Sequence, residues 1–215
     1  MKKSLNFILC AILCVSITGC SSSITNTSST STSSEVNNIS KNDNFSLKLT
    51  NGTFKVGEDL DAGEYVLIKN DNEFMGSYEI TKDTTGDSGS TVDFDSFENF
   101  DYIKVQDGQY IQLDKCTLYI PSELGNKLDF SDKKELTCGM FRVGNGKDIE
   151  PGEYKLEITK NDSDVQGWYC LYNSLDGGYD GGPDLQDSDF FSGSKLLTLQ
   201  EGQYIKLDSN TKIVK

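Results

Sequence analysis

The chain contains no histidine among its 215 residues. That excludes Ser-His-Asp and Cys-His catalysis and the common histidine-based zinc sites. It has only three prolines and one tryptophan. No cysteines are spaced C-x-x-C, so a thiolate metal site is not expected from the scattered thiols. Basic residues are scarce: 20 Lys and Arg stand against 34 Asp and Glu, a formal charge of −14. Such a surface repels nucleic acid and anionic lipid headgroups alike. Apart from residues 5–18 no apolar run approaches spanning length, and that run, at 14 residues, is short of the roughly 20 a membrane helix needs.

That run follows Lys2 and Lys3 and reads as the hydrophobic region of a secretory signal. It ends at Ile17-Thr18-Gly19-Cys20. The four residues resemble the lipobox of bacterial lipoproteins. The resemblance implies diacylation of the Cys20 thiol and cleavage before it, with residues 1–19 as signal peptide. Two acyl chains make a stable anchor. The expected location is the extracytoplasmic side of the cell membrane, held by lipid. Loss of residues 1–19 removes Lys2 and Lys3 and deepens the formal charge from −14 to −16. Residues 20–44 carry the lipidated cysteine and a segment of 24 residues, nearly all Ser, Thr and Asn. Such a segment cannot bury enough apolar surface to order itself, and it is read as a tether with a reach of roughly 25–30 Å.

The rest of the chain says the same thing twice. Leu49-Thr50-Asn51-Gly52-Thr53-Phe54 faces Leu136-Thr137-Cys138-Gly139-Met140-Phe141. Val56-Gly57, Asp59-Leu60 and Gly63-Glu64-Tyr65 face Val143-Gly144, Asp148-Ile149 and Gly152-Glu153-Tyr154. Residues 105–114 (VQDGQYIQLD) face 199–208 (LQEGQYIKLD). Between these landmarks the copies diverge. Phe54 and Val56 alternate with a polar residue, and the Asp107-Gly108 and Glu201-Gly202 pairs separate alternating runs, which is hairpin chemistry. The expected fold is all-β: two tandem antiparallel β-sandwiches or partly closed barrels of six or seven short strands, with no helix longer than a turn. Two copies are too few for a solenoid, so two independent units are expected. The boundaries are 45–120 for module 1, 121–132 for a linker and 133–215 for module 2.

The repeated stretches are similar to an uncharacterised module of secreted and lipid-anchored proteins of Gram-positive bacteria, with the signature V-G-x-D-I/L-x-A/P-G-E-Y. The resemblance implies an extracellular β-domain and no defined activity. Ala62 stands where the second copy has Pro151.

The repeated residues read as turn and core positions that any protein of this fold needs. Function is therefore sought in the divergent segments 83–101 and 174–191, acidic and rich in Gly or Ser, read as solvated loops with calcium as the alternative. Asp162-Ser163-Asp164-Val165-Gln166-Gly167 opens like a calcium loop but lacks Glu at its twelfth position, where Asn173 stands. Trp168, Cys170 and Tyr172 share one strand face, and Tyr169 and Leu171 the other. They are read as core, while an open first face would offer Trp168 and Tyr172 for stacking on a sugar or peptide. Of the six cysteines, Cys116, Cys138 and Cys170 remain after the signal and the lipid site, an odd number that leaves one disulfide or three thiols open.

No catalytic pair, cofactor or metal site is selected; Cys20 is the one site residue, for lipidation. The expectation is a non-enzymatic surface lipoprotein whose duplicated modules bind an envelope protein or a wall glycan. The alternatives are a wall-acting hydrolase or glycosidase accessory using acids of the divergent segments, and a passive surface spacer.

Overall fold

The computed structural model describes residues 47–214, apart from 125–127, 129, 131–132, 161–164 and 179–180. The fold is all-β. Module 1 contains β1 (Lys48–Lys55), β2 (Gly63–Lys69), β3 (Gly76–Thr81), β4 (Thr91–Phe97), β5 (Phe100–Val105) and β6 (Tyr110–Tyr119). Module 2 contains β7 (Glu135–Arg142), β8 (Gly152–Ile158), β9 (Gly167–Ser174), β10 (Asp184–Phe191), β11 (Ser194–Leu199) and β12 (Tyr204–Val214). Among the described residues helical structure is confined to short 3-10 turns such as Ser88–Ser90 and Pro121–Glu123. No helix among the described residues is long and apolar enough to cross a membrane.

The two sheets share one topology. Their orders are β4-β3-β6-β2-β5 and β10-β9-β12-β8-β11, with β1 on β6 and β7 on β12. The long last strand of each module makes the sheet curl. In module 1, Tyr110–Asp114 pair with β3, whereas Cys116–Tyr119 pair with β2. The corner falls at Lys115, which has a positive φ of 57°, opposite a register shift at Gly52. Each sheet thereby becomes a half-barrel whose strand path ends at β4 and β5, or at β10 and β11.

The repeated signature builds a small knot at one end of each barrel. Val56 is buried and exchanges backbone hydrogen bonds with the later turn, its N–H to Gln109 (2.9 Å) and its carbonyl from Gly108 (3.1 Å). Val143 does the same with Gln203 (2.8 Å) and Gly202 (2.9 Å). Asp59 accepts the Lys55 N–H (2.8 Å), and Asp148 the Arg142 N–H (2.9 Å). The Tyr65 and Tyr154 hydroxyls donate to the carbonyls of Asp61 and Glu150, four residues back (2.8 and 2.7 Å). Gly57 has a φ of 93°, and a Cβ there would lie 2.2 Å from Asp107 Oδ1, so only glycine fits under that acid. Gly144 lies beneath Glu201 in the same way. The two halves of the repeat, far apart in sequence, are therefore the two sides of one knot.

The modules are not independent in their packing. One apolar core lies inside module 1, around Leu67, Ile80, Ile103, Ile111 and Leu118. The second fills module 2 and continues across the boundary to Val66, Phe100 and Tyr102 on the outer side of β2 and β5. This explains why β5 is buried on both faces. Phe100 sits in the notch above Gly139, where a Cβ would lie 2.3 Å from its ring, and packs edge-on against Phe141 with centroids 5.2 Å apart. The segment expected as a linker joins this core through Leu124 and Phe130, both buried.

Gly139→Ala should therefore disturb the joint between the modules. The added methyl overpacks Phe100 at a backbone conformation that L-residues rarely adopt, and a loss of about 1–3 kcal/mol is expected. Denaturant unfolding of the variant against the parent chain checks this.

Candidate functional site

The acidic segments taken from sequence to be divergent loops are about half strand. Residues 91–97 form β4 and residues 184–191 form β10, and they correspond. By register on β3 and β9, Asp93, Asp95 and Phe97 occupy the places of Asp187, Asp189 and Phe191. The Tyr78 hydroxyl donates to Asp93 Oδ2 (2.8 Å) and the Tyr169 hydroxyl to Asp187 Oδ2 (2.5 Å). The part of the 83–101 segment that remains loop uses its acids internally: Asp83 accepts from the Thr85 N–H and hydroxyl, and Asp87 from the Gly89 N–H. The spaced D-x-D-x-F of both copies, each after G-x-Y, was the signal available in the sequence. The reading that the copies diverge there overlooked it.

The edges of the two half-barrels are joined differently. In module 2, Asp189 on β10 and Lys195 on β11 form a salt bridge of 2.7 Å. In module 1 the matching positions are both acidic, Asp95 on β4 and Asp101 on β5. Their cation comes from module 2: Lys206 on β12 reaches both, at 2.6 and 2.5 Å. Asp101 is fully buried and Lys206 nearly so. Around them stand Asp93 and Tyr78 of module 1 and Cys170 and Tyr172 of module 2. A second polar contact lies nearby. Arg142 holds Asp148 with two guanidinium bonds (3.1 and 3.0 Å), stacks over the Tyr102 ring and faces Glu64, which also accepts from the Tyr204 hydroxyl.

This docking settles where the aromatic run of β9 lies. Tyr169 and Leu171 are core. Cys170 is buried, and Tyr172 is half-buried against the core that module 1 shares. Trp168 is half-buried with its ring 6.3 Å from Phe190. Of the face weighed for stacking in module 2, Cys170 and Tyr172 are taken into the joint with module 1, whereas Trp168 lies half-buried beside the exposed ring of Phe190.

The same face of module 1 is open. There β3, β4 and β6 form a groove of about 520 Å³ whose lining includes Glu79, Phe94, Asp95, Ser96, Gln112 and Asp114. Phe94 projects from β4 with 73% of its surface exposed. Pairing puts Phe94, Glu79 and Gln112 in one row across the three strands. Glu79 is fixed by the Thr91 hydroxyl (2.9 Å). The matching row of module 2 is Ser188, Cys170 and Lys206. An apolar-and-cationic docking face in one copy is an acidic, hydroxyl-rich groove with a bare ring in the other.

Cys20, Asp162, Ser163 and Asp164 lie outside the described residues. The three later cysteines are free thiols. Burial pushes the Cys116 and Cys138 thiols up to about 11 and raises that of Cys170, so all three stay protonated at neutral pH. Among the described residues no group of three or more Cys, Asp or Glu is arranged to hold a metal ion. Comparison with protein-family models, curated proteins and solved structures finds no match.

Burial drives the Asp101 carboxyl up to about 6, from an ordinary 3.8, against the pull of Lys206. Between those values the folded chain holds a proton that the unfolded chain has lost. Stability from this group is therefore present below about pH 4 and is lost as pH rises through about 6. Lys206, its own pKa raised by both carboxylates, keeps its charge throughout that window. Asp101→Asn should flatten this part of the profile. Midpoints of thermal unfolding between pH 4 and 7, for parent and variant, check it.

Proposed function

We propose that the chain is a lipid-anchored, extracytoplasmic, non-enzymatic binding protein that holds a wall glycan in the groove of module 1. The observation that carries this reading is the bare Phe94 ring set among Glu79, Gln112, Asp114 and serine hydroxyls on a three-stranded face. An aromatic face takes the apolar side of a sugar ring, and carboxylates and amides take its hydroxyls. The acids make the groove suited to neutral or amine-bearing sugars and hostile to phosphate-rich ones. Its acids are also engaged in structure rather than poised as a catalytic pair: Glu79 accepts from Thr91, and Asp95 holds Lys206. The lipobox-like Ile17-Thr18-Gly19-Cys20 and the Ser/Thr-rich tether supply the location, a domain pair held near the membrane and within reach of the wall.

Retention on purified wall sacculi tests the ligand. The parent chain should be retained saturably without releasing fragments, and Phe94→Ala should bind about tenfold more weakly, the loss of one stacked ring. Capture of a single envelope protein with no retention on sacculi would transfer the same groove to a protein partner. Progressive release of wall fragments would make the chain an enzyme and contradict the reading. For the anchor, Cys20→Ser should move the protein from the membrane fraction to the medium in a fractionation of expressing cells.

A further inference from the structure

The groove depends on a strand that module 1 ladders on one side only. Phe94, Asp95 and Ser96 form its β4 wall. β4 is an edge strand, laddered to β3 on one side and to no strand on the other. In module 2 the matching edge is tied within the module by Asp189 and Lys195. In module 1 Asp95 and Asp101 repel each other at the matching places, and β4 is drawn toward β5 by the Lys206 ammonium between them, beyond what its ladder to β3 and the Tyr78–Asp93 and Thr91–Glu79 bonds supply. Lys206 is brought there by a strand whose neighbours, Cys170 and Met140, are buried in the docked face. Its counterpart in module 1 is Gln112, a groove residue.

From this charge exchange we infer that the two copies have divided the work: module 1 carries the binding groove, and module 2 is the clamp that sets it. Lys206 is the positioning residue. It fixes β4 through Asp95 without entering the row that faces the ligand. Docking of module 2 and occupation of the groove are then coupled. The identity of the ligand rests on the glycan reading above; the clamp itself rests on the geometry of the two edges.

Hydrogen exchange of the whole extracytoplasmic chain, resolved by strand, tests the clamp, with sacculus retention as the second readout. Lys206→Gln should speed exchange of β4 amides by about tenfold or more while β10 keeps its protection, and it should weaken retention. Lys206→Arg should restore both. Lys195→Gln should do the reverse, loosening β10 and leaving β4. If Lys206→Gln prevents folding, Asp95→Asn removes only the β4 end of the bridge and should still loosen β4 selectively. Unchanged β4 exchange, or an equal rise across β3, β4 and β6, overturns the clamp. So does retention that is lost in Phe94→Ala but untouched by Lys206→Gln. Selective loosening of β4 in a chain that the parent form shows to be blind to sacculi supports the clamp and rejects the glycan.

Discussion

One lysine ammonium between a buried carboxylate, Asp101, and a half-buried one, Asp95, connects nearly everything else in the structure. Lys206 belongs to module 2, and both of its partners belong to module 1. Such a group of charges is no source of stability for its own sake, because desolvation offsets most of the attraction. Its consequence is geometric. With three acids and one lysine in one place, the arrangement is tolerable only when the lysine is present, and removing it leaves uncompensated charge at a cost of about 3–5 kcal/mol. That penalty selects one docking of the two modules over others. Phe100 in its apolar notch over Gly139 and the cation–π stack of Arg142 on Tyr102 supply contact area; the lysine supplies register.

Seen this way, the duplication has produced two different parts from one plan. Identical strand orders and identical knots hold both copies. What differs is concentrated on one face and one edge. On the face, Cys170 and Lys206 stand where module 1 has Glu79 and Gln112; on the edge, Lys195 stands where module 1 has Asp101. Avidity from two equal binding copies is not what such an arrangement offers, because Cys170 and Lys206, at the centre of the second copy's face, are spent on the joint. A single groove braced from behind is the simpler reading.

Much of the fold was legible in the sequence, and for a physical reason. The knot demands glycine beneath an acid, a buried aliphatic, an aspartate to accept a backbone N–H and a tyrosine to close the loop. Each demand leaves little choice of residue, so the copies still match there. Alternation then gave the all-β class. The strands β4 and β10 were harder to see. Only every second residue is constrained, so Asp93-Phe94-Asp95-Ser96-Phe97 and Asp187-Ser188-Asp189-Phe190-Phe191 differ at the positions between, and their acidity reads as loop. The groove itself left almost no sequence signal. It arises because the outward residues of one copy stay polar and uncovered, and which copy is covered is decided by pairings across the modules, such as Lys206 with Asp101, that no local pattern reports. Trp168 drew attention as the lone tryptophan, yet it is half-buried beside Phe190, while the ring of Phe94 in the other copy stands bare over the groove.

A double-mutant cycle between Lys206 and Asp101 tests the central claim most directly. Unfolding free energies of the parent chain, Lys206→Gln, Asp101→Asn and the double variant give the coupling between the two side chains. The account predicts a coupling of about 1–3 kcal/mol, with the double variant more stable than Lys206→Gln alone because the stranded buried charge is gone. A coupling near zero, with the two losses simply adding, would mean that the lysine does not bridge the modules and would contradict the account.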